Sequence, residues 1–136
     1  MDPQAIADIF DSFAKVRLRR MFSGQGIYAG DLFFAMEIGG EIFLKADAET
    51  EGEFAEAGST RFTYERAGKT ASIGLWRMPD VAFDDPEELT RWCSLAVAAA
   101  RRAAARKRQS VSRQQGAGVR RPDAAQKAGR ARSRSR

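Results

Sequence analysis

Glycines cut the hydrophobic pattern between Arg19 and Asp47 into three short apolar runs, at Gly24-Gln25-Gly26, at Ala29-Gly30-Asp31 and at Ile38-Gly39-Gly40-Glu41. Each break stands where an extended chain would have to turn. The Gly39-Gly40 step, between Phe33–Ile38 and Ile42–Leu44, is a two-residue hairpin signal, because such turns need positive φ, which glycine reaches without steric cost. An antiparallel meander is therefore expected. The run Leu32–Ile38 is apolar at every position except Glu37, which suggests a central strand buried on both faces. Phe62 and Tyr64 alternate within Arg61–Arg66, and Ile73 and Leu75 within Thr70–Arg77. With Ala67-Gly68-Lys69 between them, these runs predict a second hairpin with one face packed and one wet.

Three segments show helical periodicity instead. Ile6, Ile9, Phe10, Phe13 and Val16 form one apolar face, preceded by Asp2, which can cap the first turn, and Pro3, which has no N–H to leave unused there. This helix is expected to end near Val16, with a first strand at Leu18–Phe22. A helix of about two turns follows Asp47, with Phe54 and Ala57 facing inward and Gly58 closing it. After Pro79, which closes the sheet, and a linker through Phe83, Asp85-Pro86-Glu87-Glu88 repeats the Asp-Pro entry and adds a capping-box acid. Leu89, Trp92, Cys93, Ala96, Ala99, Ala100 and Ala103 then mark a stripe. That helix is expected to reach at least Ala105 and to fray near Arg108.

Charge changes the picture at the end of this helix. The net charge of +5 divides into −7 over residues 1–100 and +12 over residues 101–136, where Asp123 is the one acid. From Gln109 onward Val111 and Val119 are the only large aliphatics, so the segment cannot bury enough surface to offset chain entropy. The reading is a domain over residues 1–108 and a disordered arginine-rich tail over 109–136. Arg106, Lys107, Arg108, Arg113, Arg120, Arg121, Lys127, Arg130, Arg132, Arg134 and Arg136 are its candidate nucleic-acid contacts. Flexible arginines neutralise phosphates of any sequence, which implies weak, salt-sensitive, unspecific binding of DNA or RNA. A solubilising tail without a dedicated partner explains the same residues equally well.

The remaining chemistry is sparse. The single cysteine, Cys93, excludes an internal disulfide and fits a reducing compartment. No signal peptide or membrane-spanning run is apparent, so the cytoplasm is the expected location. The spacing of Gly24, Gly26 and Gly30 is wrong for a dinucleotide fingerprint and precedes strand-like residues, so these read as turn glycines. Asp80, Asp84, Asp85, Glu87 and Glu88 read as helix-capping acids rather than as a metal site. Trp76 and Trp92 read as core. With no histidine in the chain the commonest general base is missing, and neither catalytic residues nor a cofactor or metal are expected. An alternative is a small enzyme or ligand-binding domain with a cleft near Arg19, Arg20, Tyr28 and Lys45.

The ordered series Arg20-Met21-Phe22-Ser23-Gly24-Gln25-Gly26-Ile27-Tyr28, Phe34-Ala35, Phe43-Leu44-Lys45-Ala46-Asp47, Phe62-Thr63-Tyr64, Met78-Pro79 and Asp85-Pro86-Glu87-Glu88-Leu89 with Trp92 resembles the N-terminal domain of the TfoX/Sxy family, over residues from about 5 to 105. Ser23 stands where the family loop usually carries the first of two glycines. The resemblance implies an α+β fold, a single antiparallel sheet packed with N- and C-terminal helices in the order α-β(3–4)-α-β(2)-α. Two-domain members are competence regulators that act with the cyclic-AMP receptor protein at promoters and carry a helical C-terminal domain. Here the arginine-rich segment stands in that domain's place. The resemblance therefore implies a stand-alone regulatory or interaction module with a protein partner at the transcription machinery, and it transfers no catalytic residue.

Overall fold

The computed structural model describes residues 1–21 and 24–119, with the backbone alone at Arg66, at residues 70–72 and at residues 111–119. The elements follow in the order α1 (Pro3–Phe10), β1 (Arg17–Met21), β2 (Gly24–Ala29), β3 (Leu32–Ile38), β4 (Glu41–Lys45), α2 (Glu51–Glu56), β5 (Arg61–Arg66), β6 (Lys69–Arg77), α3 (Val81–Asp84) and α4 (Pro86–Val119). All strand pairs are antiparallel and form one sheet in the order β1-β2-β3-β4-β6-β5. This is the expected α+β fold.

Local chemistry explains the element ends. Asp2 accepts from the Ala5 amide at 3.2 Å, and Pro3 opens α1. Gly39 and Gly40 take φ of +59° and +85° in the β3–β4 turn, and Gly30 takes +60° after β2. Asp85 caps α4 by accepting from the Glu87 amide at 2.9 Å.

Several expectations are corrected. α1 stops at Phe10 rather than near Val16, because the amides of Phe13 and Ala14 both turn back onto the Phe10 carbonyl at 2.8 and 2.9 Å. Phe13 and Val16 still pack on the core from the connection that follows. Gly24-Gln25-Gly26 is not a turn but the start of β2. Gly24 is needed there because a Cβ would collide with the Glu37 carbonyl of the neighbouring strand. The expected linker after Pro79 contains the short helix α3. Glu88 does not complete a capping box, because its Oε1 accepts from the Trp92 indole at 3.2 Å while the Asp85 amide bonds to the Val81 carbonyl. Ala57 is exposed, and α2 buries Phe54 alone. Ile73 is 42 % exposed where alternation puts it beside Leu75, 1 % exposed. The β5–β6 register shifts between Arg61 and Thr63, and Gly74 has φ +73°, so alternation breaks at that point.

The main core lies between one sheet face and the helices. Ile6 and Phe10 of α1, Phe54 of α2, Ala82 of α3 and Leu89, Trp92, Cys93 and Ala96 of α4 meet Ile27, Phe34, Ile42 and Leu44 there. A bulge sets this arrangement. Ile27 pairs with Ala35 and Tyr28 with Phe33, leaving Phe34 as the extra residue, so Phe34 and Ala35 both join the helix-side core.

The chain divides into the unit Met1–Arg102 and the unit Ala103–Arg136. The first is tied at its end by Arg102, whose guanidinium donates to both Asp47 carboxylate oxygens at 2.7 and 3.0 Å. In the second, the helix continues to Val119 instead of fraying near Arg108, in keeping with the helix propensity of its alanine, arginine and glutamine residues. Residues 120–136 of the expected tail lie outside the described residues.

The Asp47–Arg102 pair gives a pH-dependent contribution. Hydrogen bonding to Arg102 holds the Asp47 carboxyl below its ordinary value of 3.8. A carboxyl depressed on folding stabilises above its unfolded value, and that contribution is lost as pH falls through the depressed folded value. Arg102→Met is expected to lower stability at neutral pH, because the Asp47 carboxylate loses its two-point partner. The gap between variant and native chain should close on acidification below the ordinary value, as read by urea unfolding across pH.

Candidate functional site

Strand register places Arg20 opposite Gln25 and Gln25 opposite Glu37. Three polar residues thus form a row across β1, β2 and β3 on the sheet face that elsewhere carries Leu18, Ile27 and Leu44. The row lies toward the β3–β4 turn, where the start of α1 approaches. Glu37 is 4 % exposed. Its Oε2 accepts from the Gly40 amide at 2.8 Å and lies 3.5 Å from the Met1 amino group, and its Oε1 accepts from Gln25 Nε2 at 3.4 Å. Gln25 Nε2 also donates to the Met1 carbonyl at 2.9 Å. A buried carboxylate is tolerated only with such partners.

Above this row opens a cleft of about 500 Å³, lined by Met1, Pro3, Arg20, Gln25 and Glu37 with the backbone of Gly24, Gly39 and Gly40. Its charges are the Met1 amino group, the Glu37 carboxylate that it pairs with, and the exposed Arg20 guanidinium, which is the group placed to hold a small anionic ligand. Of the four residues expected around a cleft, Arg20 alone lines it. Arg19 aligns with Gly26, Met36 and Phe43 on the opposite sheet face. Tyr28 and Lys45 are on that opposite face too, the lysine Nζ 5.3 Å from the Phe33 ring centre and the Arg17 guanidinium 5.6 Å from that of Tyr28. Side chains alternate along a strand, so Arg19 and Arg20 cannot share a site. Gln25 and Glu37 are not singled out by the sequence pattern as site residues, although a lone acid in an otherwise apolar strand is the signal that could have found the second of them.

A second hollow of about 360 Å³, lined in part by Arg77, Pro79, Arg91 and Trp92, has its charges paired. Arg77 meets Glu41 at 3.1 Å and Asp80 at 3.2 Å, and Arg91 meets Glu53 at 3.3 Å. Cys93 is fully buried, and burial pushes its thiol up to about 12, so thiolate chemistry is suppressed.

The candidate nucleic-acid contacts divide by position. Arg106, Lys107 and Arg108 are exposed on α4. Arg113 lies in the same helix, and Arg120, Arg121, Lys127, Arg130, Arg132, Arg134 and Arg136 fall outside the described residues. Arg102, the second residue of the basic segment 101–136, is engaged by Asp47 and also lies 3.2 Å from Glu49. It belongs to the acidic body's own structure. Among the described residues, no helix is long and apolar enough to cross a membrane, and no cluster of three or more Cys, Asp or Glu side chains could hold a metal.

No curated protein matches this chain. The family model of the TfoX N-terminal domain matches residues 8–100, from within α1 to the late turns of α4 in the acidic body, and covers the whole sheet. The chain belongs to the TfoX N-terminal domain family.

Proposed function

We propose that this chain is a non-enzymatic regulatory module of the cytoplasm, whose acidic body binds a protein partner at the transcription machinery while its basic C-terminal segment holds DNA or RNA without sequence preference. Competence regulation is the form of this role that the family suggests. The observation carrying the proposal is the exposed Arg106-Lys107-Arg108 cluster at the start of a segment with net charge +12 over residues 101–136. Cations along an extended helix attract phosphates and release their counterions. With about six phosphates neutralised, the affinity of the full chain should fall with salt at a log–log slope near −5. Replacing Arg106, Lys107 and Arg108 by glutamine should weaken binding and flatten that slope by about 0.9 for each phosphate left without its cation. Unchanged binding in this variant and in a chain ending at Arg108, or no binding by the full chain at low salt, would remove the basic segment from the function.

The cleft over Glu37 favours a second reading, a ligand-binding domain or small enzyme, of which Arg20 is the one expected residue in place. Titration with small carboxylates and phosphates should then shift the Gly39 and Gly40 amide resonances. Unmoved resonances at saturating concentrations would end that reading.

A further inference from the structure

Among the described residues of the unit Met1–Arg102, the helices pack on one of the two sheet faces. In the unit Met1–Arg102, every buried helical side chain that joins a hydrophobic cluster packs on the face of Ile27, Phe34 and Leu44. The opposite face has a small cluster of its own, Met36, Phe43 and Leu75, and the residues packed around it, Met21, Phe33, Ile38 and Phe62, are all strand residues.

What surrounds that cluster is aromatic and cationic. Tyr28, Phe33, Phe62 and Tyr64 are each partly exposed. The Tyr28 and Phe33 ring centres are 5.6 Å apart, Phe43 and Phe62 5.1 Å, and Phe62 and Tyr64 6.3 Å in a stacked arrangement. Arg17 and Lys45 sit over Tyr28 and Phe33, and register puts Arg19 on the same face. Among the described strand positions of this face the one acid is Glu41, opposite Ile38, and it is bonded to Arg77 at 3.1 Å; at its edge the Arg17 guanidinium donates to the Gly30 carbonyl at 3.0 Å and lies 3.6 Å from the Asp31 carboxylate. Residues 1–100 carry net charge −7, so cations gathered on one face of an acidic body mark a place for a polyanion.

We infer that the sheet face of Met36, Phe43 and Leu75 binds single-stranded nucleic acid, with bases stacking on Tyr28, Phe33, Phe62 and Tyr64 and phosphates meeting Arg19 and Lys45. Exposed rings accept any unpaired base, because every base has a π-face, and nearby cations follow the backbone. A duplex keeps its bases stacked on one another and offers this face phosphates only. A second copy of the chain is a poorer occupant, because a two-fold interface on this face would set the cations of one copy against those of the other. The inference rests on the proposed nucleic-acid role, and it narrows the partner to unpaired strands.

The test uses the full chain, a labelled oligothymidylate of about ten nucleotides and a duplex of the same length. The single strand should bind more tightly than the duplex, and the ring-proton resonances of Tyr28, Phe33, Phe62 and Tyr64 should shift on its addition. Tyr64→Ala should weaken single-strand binding by about tenfold, the scale of one stacked base, with its duplex affinity unchanged, and Arg19→Glu should weaken single-strand binding and flatten its salt dependence by removing a phosphate contact. Thermal melting of each variant checks its fold, and the ring shifts in the native chain give a readout that needs no variant.

Equal affinity for both probes with unmoved rings, and with Arg106–Arg108 still required, would overturn the sheet-face inference and leave the basic segment as the sole binding element. Ring shifts that survive replacement of Arg106–Arg108 with unchanged affinity would support the sheet face and overturn the role of the basic segment. Concentration-dependent changes of these rings in the absence of nucleic acid, with none added by the oligonucleotide, would assign the face to a second copy and overturn the inference.

Discussion

Phe54→Ala is expected to destabilise the acidic body by about 3–5 kcal/mol, the range for emptying a fully buried phenylalanine site. Phe54 has no exposed surface, and its ring centre lies 4.8 Å from that of Trp92 and 6.2 Å from that of Trp76. It is the buried residue of α2, a helix of 6 residues, too short to persist without tertiary packing. One side chain therefore joins α2 to the sheet through Trp76 and to α4 through Trp92. Small domains have about 5–15 kcal/mol in total, so this variant should be partly unfolded under mild conditions. Urea unfolding followed by far-UV circular dichroism would measure it. Phe83→Ala, at a residue 44 % exposed, should change stability by no more than about 0.5 kcal/mol. Similar destabilisation at the two positions would show that α2 is not part of the cooperative core.

Gly24→Ala should cost about 3 kcal/mol, at the upper end of what overpacking does to a closed structure. The new Cβ would collide with the Glu37 carbonyl oxygen and crowd the Glu37 carbonyl carbon and the Ile38 Cα. These are backbone atoms, so no rotamer change relieves the collision, and β2 must move away from β3. That movement separates Gln25 from Glu37 and opens the cleft floor. Gly30→Ala provides the comparison. Its φ is +60° with open space around the position, so the cost is the left-handed penalty of about 1–2 kcal/mol. A larger cost at Gly30 than at Gly24 would mean that strand approach is not what requires glycine at position 24.

These two glycines show how far the sequence could be read. Both interrupt apolar runs and both look like turn residues, yet only Gly30 turns the chain. Gly24 serves a neighbouring strand, and no local pattern records how closely that strand approaches. The same limit applies to the cleft. Arg19, Arg20, Tyr28 and Lys45 could be grouped as cations and a phenol near the meander, but strand alternation divides them between the two sheet faces. Glu37 was visible as the one acid of Leu32–Ile38, and its partners Gln25, Gly40 and Met1 come from other parts of the chain.

The residues alone determined what depends on a few neighbouring positions: the Asp-Pro entries to α1 and α4, the Gly39-Gly40 hairpin, the strand Leu32–Ile38, and the separation of a negative body from a positive end. Such features follow from backbone freedom, capping and charge, which act within a turn or two. The folded chain decided what each side chain faces. The extra residue at Phe34 turns both it and Ala35 toward the helices, and Arg102 finds Asp47 across 55 residues of sequence. Both outcomes arise because register and docking are settled by packing the whole sheet at once, and a one-residue shift in pairing would exchange the two faces.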